Sequence, residues 1–379
     1  MSVVYYTSAR SRTFDQAYSI PARFEELLSR VNMSKFVSPR DVVAVKMHFG
    51  SHGAFRVVRP RFVRTVVDAI RGAKGHPFVC DTVRIPGLQY LQLATQSGYT
   101  YGSVGAPVVM ADGLFGFDGV KVKTGPVIGD ITIASAIYDA QAMVVLTHCK
   151  GHVEAGYAGA IKNLAMGCVC ASSRTKEQPS RGKLHARGGS ELVWNSDLCN
   201  LCQQCVAVCP TGSLTFEKGK WTREEESCFQ CNRCARVCPT GALSDTMDVR
   251  EFQDGLAEAA KAVIKTFKPG KILYINFLMD MSPECDCMPS QDTPVVQDQG
   301  ILMSDDVVAI EQASYDLIGK GRPLPQSVAE DMHVKPGEHV LERVNPGKDA
   351  PAAIKKIAQY RLGSRRYRLV SVEKKGQAG

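Results

Sequence analysis

The sequence lacks any run of about 18 apolar residues, so no segment is expected to span a membrane. Its first residues lack the basic-then-apolar pattern of an export signal, which places the protein in the cytoplasm, where thiols stay reduced. No Gly-x-Gly-x-x-Gly follows the first strand, so neither a flavin nor a nicotinamide cofactor is supported. The three glycines at Gly113, Gly116 and Gly119 punctuate a hairpin loop instead. What remains has the composition of a soluble globular protein: 379 residues, 44% hydrophobic and 22% charged, long enough for two or three domains.

Cysteine, by contrast, is plentiful, with 14 in the chain. Eight fall in two frames of identical spacing: Cys199, Cys202, Cys205 and Cys209 followed by Pro210, then Cys228, Cys231, Cys234 and Cys238 followed by Pro239. Two-residue gaps let three thiolates from one turn of backbone grip three corners of an iron–sulfur cube, and Pro-Thr-Gly turns the chain after each frame. The stretch resembles a bacterial-type ferredoxin. In two-cluster ferredoxins the last cysteine of each run reaches across, which assigns Cys199, Cys202, Cys205 and Cys238 to one [4Fe-4S] cluster and Cys228, Cys231, Cys234 and Cys209 to its partner. A zinc ribbon would pair two Cys-x-x-Cys hooks without the further cysteines, and disulfides would need an oxidising compartment.

The flanks read as alternating strands and helices. Residues 41–49, 76–80, 108–111, 143–147 and 271–278 have strand character, 120–123 alternates as a half-exposed strand, and 60–74, 87–97, 131–139 and 249–267 have helical spacing. Residues 172–189 are rich in Ser, Arg, Lys and Gly and read as a mobile loop. The expected fold class is α/β, a mixed or largely parallel sheet with flanking helices, interrupted by a small ferredoxin-like α+β iron–sulfur domain. The expected organisation is a host domain over 1–190, the insertion over 191–245, the host resuming over 246–325, and a basic C-terminal extension over 326–379.

Ordered motifs support a family reading. Val45-Lys46-Met47-His48-Phe49-Gly50, His148-x-Lys150-Gly151-His152, and the run from Gly159 through Lys162-Asn163 to Cys168 are followed by Pro283-Glu284-Cys285-Asp286-Cys287 and by Gly300 to Ile310. In these the host domain resembles the family called domain of unknown function 362, in its form with an internal ferredoxin, over roughly residues 1 to 320. The resemblance implies architecture and candidate positions more than a reaction. The chain departs from the family pattern at Val169-Cys170, where small residues are expected.

Two further groups carry chemistry. Cys168 with Cys170, and Cys285 with Cys287, form two Cys-x-Cys hooks; if the sheet brings them together they supply up to four thiolates, enough for a metal ion or a third cluster. The bland reading makes them core or surface thiols, as Cys80 and Cys149 are expected to be. Lys46, His48, His148, Lys150, His152 and Lys162 stand at strand ends among glycines, a set suited to an anionic substrate or to proton transfer, with backbone that could approach a phosphate or carboxylate.

The favoured function is a redox enzyme: a partner protein donates electrons, which pass through the two clusters to a Cys/His/Lys site and an anionic small molecule. The alternative is a non-catalytic electron carrier or an iron- or sulfur-transfer protein that docks a partner. The basic tail, with Lys355, Lys356, Arg361, Arg365, Arg366, Arg368, Lys374 and Lys375 against Glu373, motivates an acidic partner or, more weakly, nucleic-acid modification; a solvated surface is the plain alternative.

Overall fold

Strands that are apolar at consecutive positions must be buried on both faces, and the centre of this molecule is built that way. The computed structural model describes residues 1–175, 177–185, 191–228 and 231–373. Eight strands, β1 (Ser2–Ser8), β2 (Val42–Lys46), β3 (His76–Asp81), β4 (Val108–Met110), β5 (Ala142–His148), β6 (Ile272–Leu278), β7 (Gly300–Ser304) and β8 (Tyr367–Ser371), form one sheet in the order β8-β1-β7-β6-β5-β2-β3-β4. β7 runs antiparallel to both neighbours, and the other five pairings are parallel.

Alternate residues of the central strands enter two separate cores. Val43, Val45, Val144 and Leu146 pack with α1 (Ile20–Ser29), α2 (Pro60–Gly72) and α3 (Gly87–Gln96). Ala44, Met143 and Val145 pack on the other face with α4 (Ala160–Gly167), α5 (Val249–Ile264), α6 (Val307–Lys320) and α7 (Pro351–Gln359). α2 shows how sequence makes such a helix: Pro60 opens it, and Phe62, Val63, Val66, Val67 and Ile70 form one buried stripe. Each of those side chains contributes about 1.5–3 kcal/mol by leaving water.

β5 and β6 are neighbours in the sheet although residues 191–245 lie between them in the chain. Within that segment Leu192–Trp194 pairs antiparallel with Leu243–Asp245, with Leu192 opposite Asp245, so entry and exit lie side by side. A second hairpin joins Leu214–Glu217 to Lys220–Arg223, and Leu214, Cys234 and Leu243 form a small core of their own.

Three expectations need correction. Residues 131–139 are not one helix: Asp130–Ala134 is a strand paired with Gly119–Lys123, and the helix is confined to Ser135–Tyr138. Ile131 and Ile133 are buried with Thr132 turned the other way, a period of two that four following helical residues masked. The stretch read as a mobile loop contains a short helix, Ser180–Leu184, while 186–189 lie outside the described residues. Residues 326–379, expected as a basic extension, supply α7 to the core and β8 to the sheet, beside β1. Lys356 there pairs with Asp254 and Arg365 donates to Gln312; Lys374 and Lys375 lie outside the described residues.

Candidate functional site

β6, β5, β2 and β3 are adjacent and parallel, so their carboxyl ends open on one edge of the sheet, where α/β folds gather ligands. A cleft with an empty volume of about 670 Å³ lies there, and all six residues singled out at strand ends, Lys46, His48, His148, Lys150, His152 and Lys162, line it. Arg84 and Arg181 bring its cationic side chains to five, against one lining carboxylate, Asp81.

Two buried carboxylates organise these cations. Asp81, the last residue of β3, takes Lys46 Nζ at 3.0 Å on one oxygen, and His48 Nδ1 at 2.8 Å and the Tyr90 hydroxyl at 2.7 Å on the other. Burial alone would raise the Asp81 pKa, but Lys46 and His48 outweigh it and hold the group far below the usual carboxylate range. Lys46 also donates to Asn163 Oδ1 at 2.7 Å; Asn163 is oriented by its own bonds to Leu146 O and Thr147 Oγ1. Asp286 takes Lys150 Nζ at 2.6 Å and His148 Nδ1 at 3.0 Å, and Gln291 donates to its other oxygen at 2.8 Å. Here too burial is outweighed, by His148 and Lys150, and the Asp286 pKa falls to about 2. His48 is lowered by burial, and its Nε2 has no hydrogen-bond partner among the described residues.

The glycines near this edge serve close packing. A Cβ on Gly151 would lie 2.0 Å from Pro283 O, and one on Gly167 would lie 2.5 Å from Lys46 Nζ. The N-terminus of α4, where glycine-rich backbone could have met a phosphate, already holds the buried carboxylate of Glu311, which accepts from Ala160 N at 2.7 Å and Ile161 N at 3.2 Å.

His152, Cys285 and Cys287 offer ligand atoms that all lie within 4.8 Å of one another and could hold a metal ion. Cys168 and Cys170 are not in that group. Cys168 ends α4 with its thiol toward Asn163 O, while Cys170 packs on the 119–134 hairpin, its thiol 3.4 Å from Asp118 O. The backbone after α4 therefore carries the Cys168–Cys170 hook away from the His152–Cys285–Cys287 group. Burial pushes both of those thiols up to about 12, and it raises Cys80 and Cys149 further, as suits core residues. Cys285 differs: a hydrogen bond from the Cys287 thiol and, against burial, the charges of Lys162 and His152 hold its pKa well below the usual value. Lys162 Nζ and the Cys287 backbone N–H reach its sulfur at 3.5 Å and 3.4 Å.

The eight cysteines of the two frames surround two small cavities. One is lined by Cys199, Cys202, Cys205 and Cys238; the other by Cys228, Cys231, Cys234 and Cys209. Gln203 and Asn232, at equivalent places in the frames, both adopt left-handed backbone just before a short helix. The second cage touches the host: Arg233, between two of its cysteines, forms a buried ion pair with Glu284, and Lys348 donates to Cys231 O at 3.0 Å. Asn345 bridges Arg233 and Pro283 O.

Sequence reading missed Asp81, Asp286, Arg84 and Arg181. Asp81 stood one residue beyond an expected strand, Asp286 stood between two cysteines, and Arg181 lay in the supposed loop, where it donates to Met166 O, Val83 O and Thr82 Oγ1. The polar residues that close β2 and β5 were the signal that could have drawn attention to the end of β3.

The family model described as Domain of unknown function (DUF362) matches residues 43–316. No curated protein matches the chain. Among solved structures, the lactate racemase apoprotein from Thermoanaerobacterium thermosaccharolyticum is similar over 74% of this chain and 51% of that one, with 10% identity and a TM-score of 0.35. The chain thus spans about half the length of that protein, and so distant a likeness carries no argument about function.

Proposed function

The chain belongs to the DUF362 family, and we propose that it is an iron–sulfur redox enzyme of reductase type, passing electrons from two cysteine cages to an anionic small molecule in the cationic cleft. The donor sets support two [4Fe-4S] clusters: each cavity draws three cysteines from one frame and the fourth from the other. Such clusters supply one-electron transfer at potentials of roughly −700 to +450 mV across proteins.

The chain's own residues account for the rest. Five cations attract and orient an anion, with Asp81 and Asp286 fixing Lys46 and Lys150 in place. With Nδ1 facing Asp81, His48 leaves Nε2 free to exchange a proton with the substrate. Cys202 is exposed at the first cage, and Leu198 and Leu201 beside it are exposed too, which suits docking of a donor protein there.

One observation carries the reading: the Arg233–Glu284 ion pair joins the second cage to the residue next to Cys285, so the cage and the cleft loop are one packed unit. A carrier that merely docked partners would have no use for that placement. The test follows reoxidation of dithionite-reduced protein by anionic oxidants under nitrogen. The enzyme reading expects His48→Gln to slow reoxidation by roughly 100-fold and Lys162→Met to raise the oxidant concentration required, both with an unchanged cluster spectrum. Rates indifferent to both substitutions would favour a simple electron carrier.

A further inference from the structure

Cys285 and Cys287 stand apart from the other host cysteines in what surrounds them. Cys285 is fully buried, and its sulfur receives Lys162 Nζ and the Cys287 N–H; Cys287 is partly exposed and lines the cleft. Their sulfurs lie within 4.8 Å of each other. His152 decides between a metal site and a thiol site. Its Nδ1 accepts the backbone N–H groups of Glu154 and Ala155, each at 3.1 Å, so the ring proton resides on Nε2 and is donated toward Cys285. A histidine that binds a metal through Nε2 carries its proton on Nδ1, and two N–H donors bar it from that position. Lys162 and Arg84 beside the pair also repel a cation.

We infer that Cys285 and Cys287 form a dithiol–disulfide couple that exchanges two electrons with a carboxylate-bearing organic disulfide in the cleft. Cys287 Sγ passes its proton to the Cys285 thiolate and attacks one sulfur of that disulfide: a Cys287–S bond forms, the substrate S–S bond breaks, and the first product leaves as a thiolate that takes this proton from Cys285. The Cys285 thiolate then attacks Cys287 Sγ, breaking the mixed disulfide and releasing the second product as a thiolate that takes its proton from water. The substrate gains two electrons from the pair, with one proton from the pair and one from water. Lys162 and His152 hold the charge on Cys285 between steps. The inference rests on the redox reading only for the source of the two electrons that restore the dithiol, one from each cage.

Full-length protein is treated with oxidised glutathione as the probe, alkylated and mapped by mass spectrometry. The expected result is that the peptide carrying Cys285 and Cys287 becomes lighter by two hydrogens and resists alkylation until dithiothreitol is added. Cys285→Ser should stall with one glutathione on Cys287, and Cys287→Ser should acquire none at Cys285. Full alkylation of both thiols in the oxidant-treated wild-type protein would overturn the couple, as would a bound metal ion that shields both. Iron content of the same sample reads the cages separately: a cycling pair without iron removes the redox reading and keeps the couple, and the reverse removes the couple alone.

Discussion

Asp81 and Asp286 each hold two basic side chains with one carboxylate, and the cleft depends on both. Asp286→Ala would strand the buried Lys150 charge, and we expect a loss of about 3–5 kcal/mol in urea unfolding. Because the Asp286 pKa falls from 3.8 to about 2 on folding, its pairing contributes stability that is complete above pH 3.8 and is lost as pH falls toward 2. That contribution is about 2 kcal/mol, so the stability gap between wild type and Asp286→Ala should narrow by about that much over this acid window. At this scale the sequence disclosed the basic partners better than the acids. Lys46, His48, His148 and Lys150 interrupt apolar runs and catch the eye, whereas nothing local distinguishes Asp81 from any carboxylate that ends a strand.

At the scale of elements, β8 and the helix Ser180–Leu184 were hidden by composition. Arginine and serine around residue 367 suggested solvent, but β8 pairs with β1 along five residues, and Glu373 just beyond it pairs with buried Arg23 at 2.9 Å. Removing residues 367–379 should bare the edge of β1, lower the melting temperature and promote self-association on gel filtration. A truncated chain as stable and monomeric as the parent would show that β8 is dispensable. Arg181 makes the short helix part of the cleft through three bonds to neighbouring segments. Arg181→Ala should cost about 1–3 kcal/mol in unfolding, since its acceptors lose a charged donor, and should weaken anion binding measured by calorimetry. Helices α2, α3 and α5 and strands β2 to β6 were legible because their apolar residues recur at the full period, as in α2, whereas α6 was not read from the sequence. The 130–138 segment was not, because a five-residue strand and a four-residue helix adjoin without a turn signal.

Across the whole molecule, the two cysteine frames and the cleft lie on one packed unit joined by Arg233, Glu284 and Asn345. The frames were readable as a repeat, and the return of the chain to the sheet at β6 was readable because strand character resumes near residue 271. Which cage meets the host was not readable, since the Arg233–Glu284 contact spans 51 residues. Arg233→Leu should slow electron passage to the cleft while leaving both cage signals in place, and stopped-flow reoxidation measures this directly. The central claim, that the eight cysteines hold two clusters, is tested most directly by iron and acid-labile sulfide in protein purified without oxygen. The account expects about eight of each per chain, falling by about half in Cys209→Ser; a folded protein that carries zinc and no sulfide would contradict it.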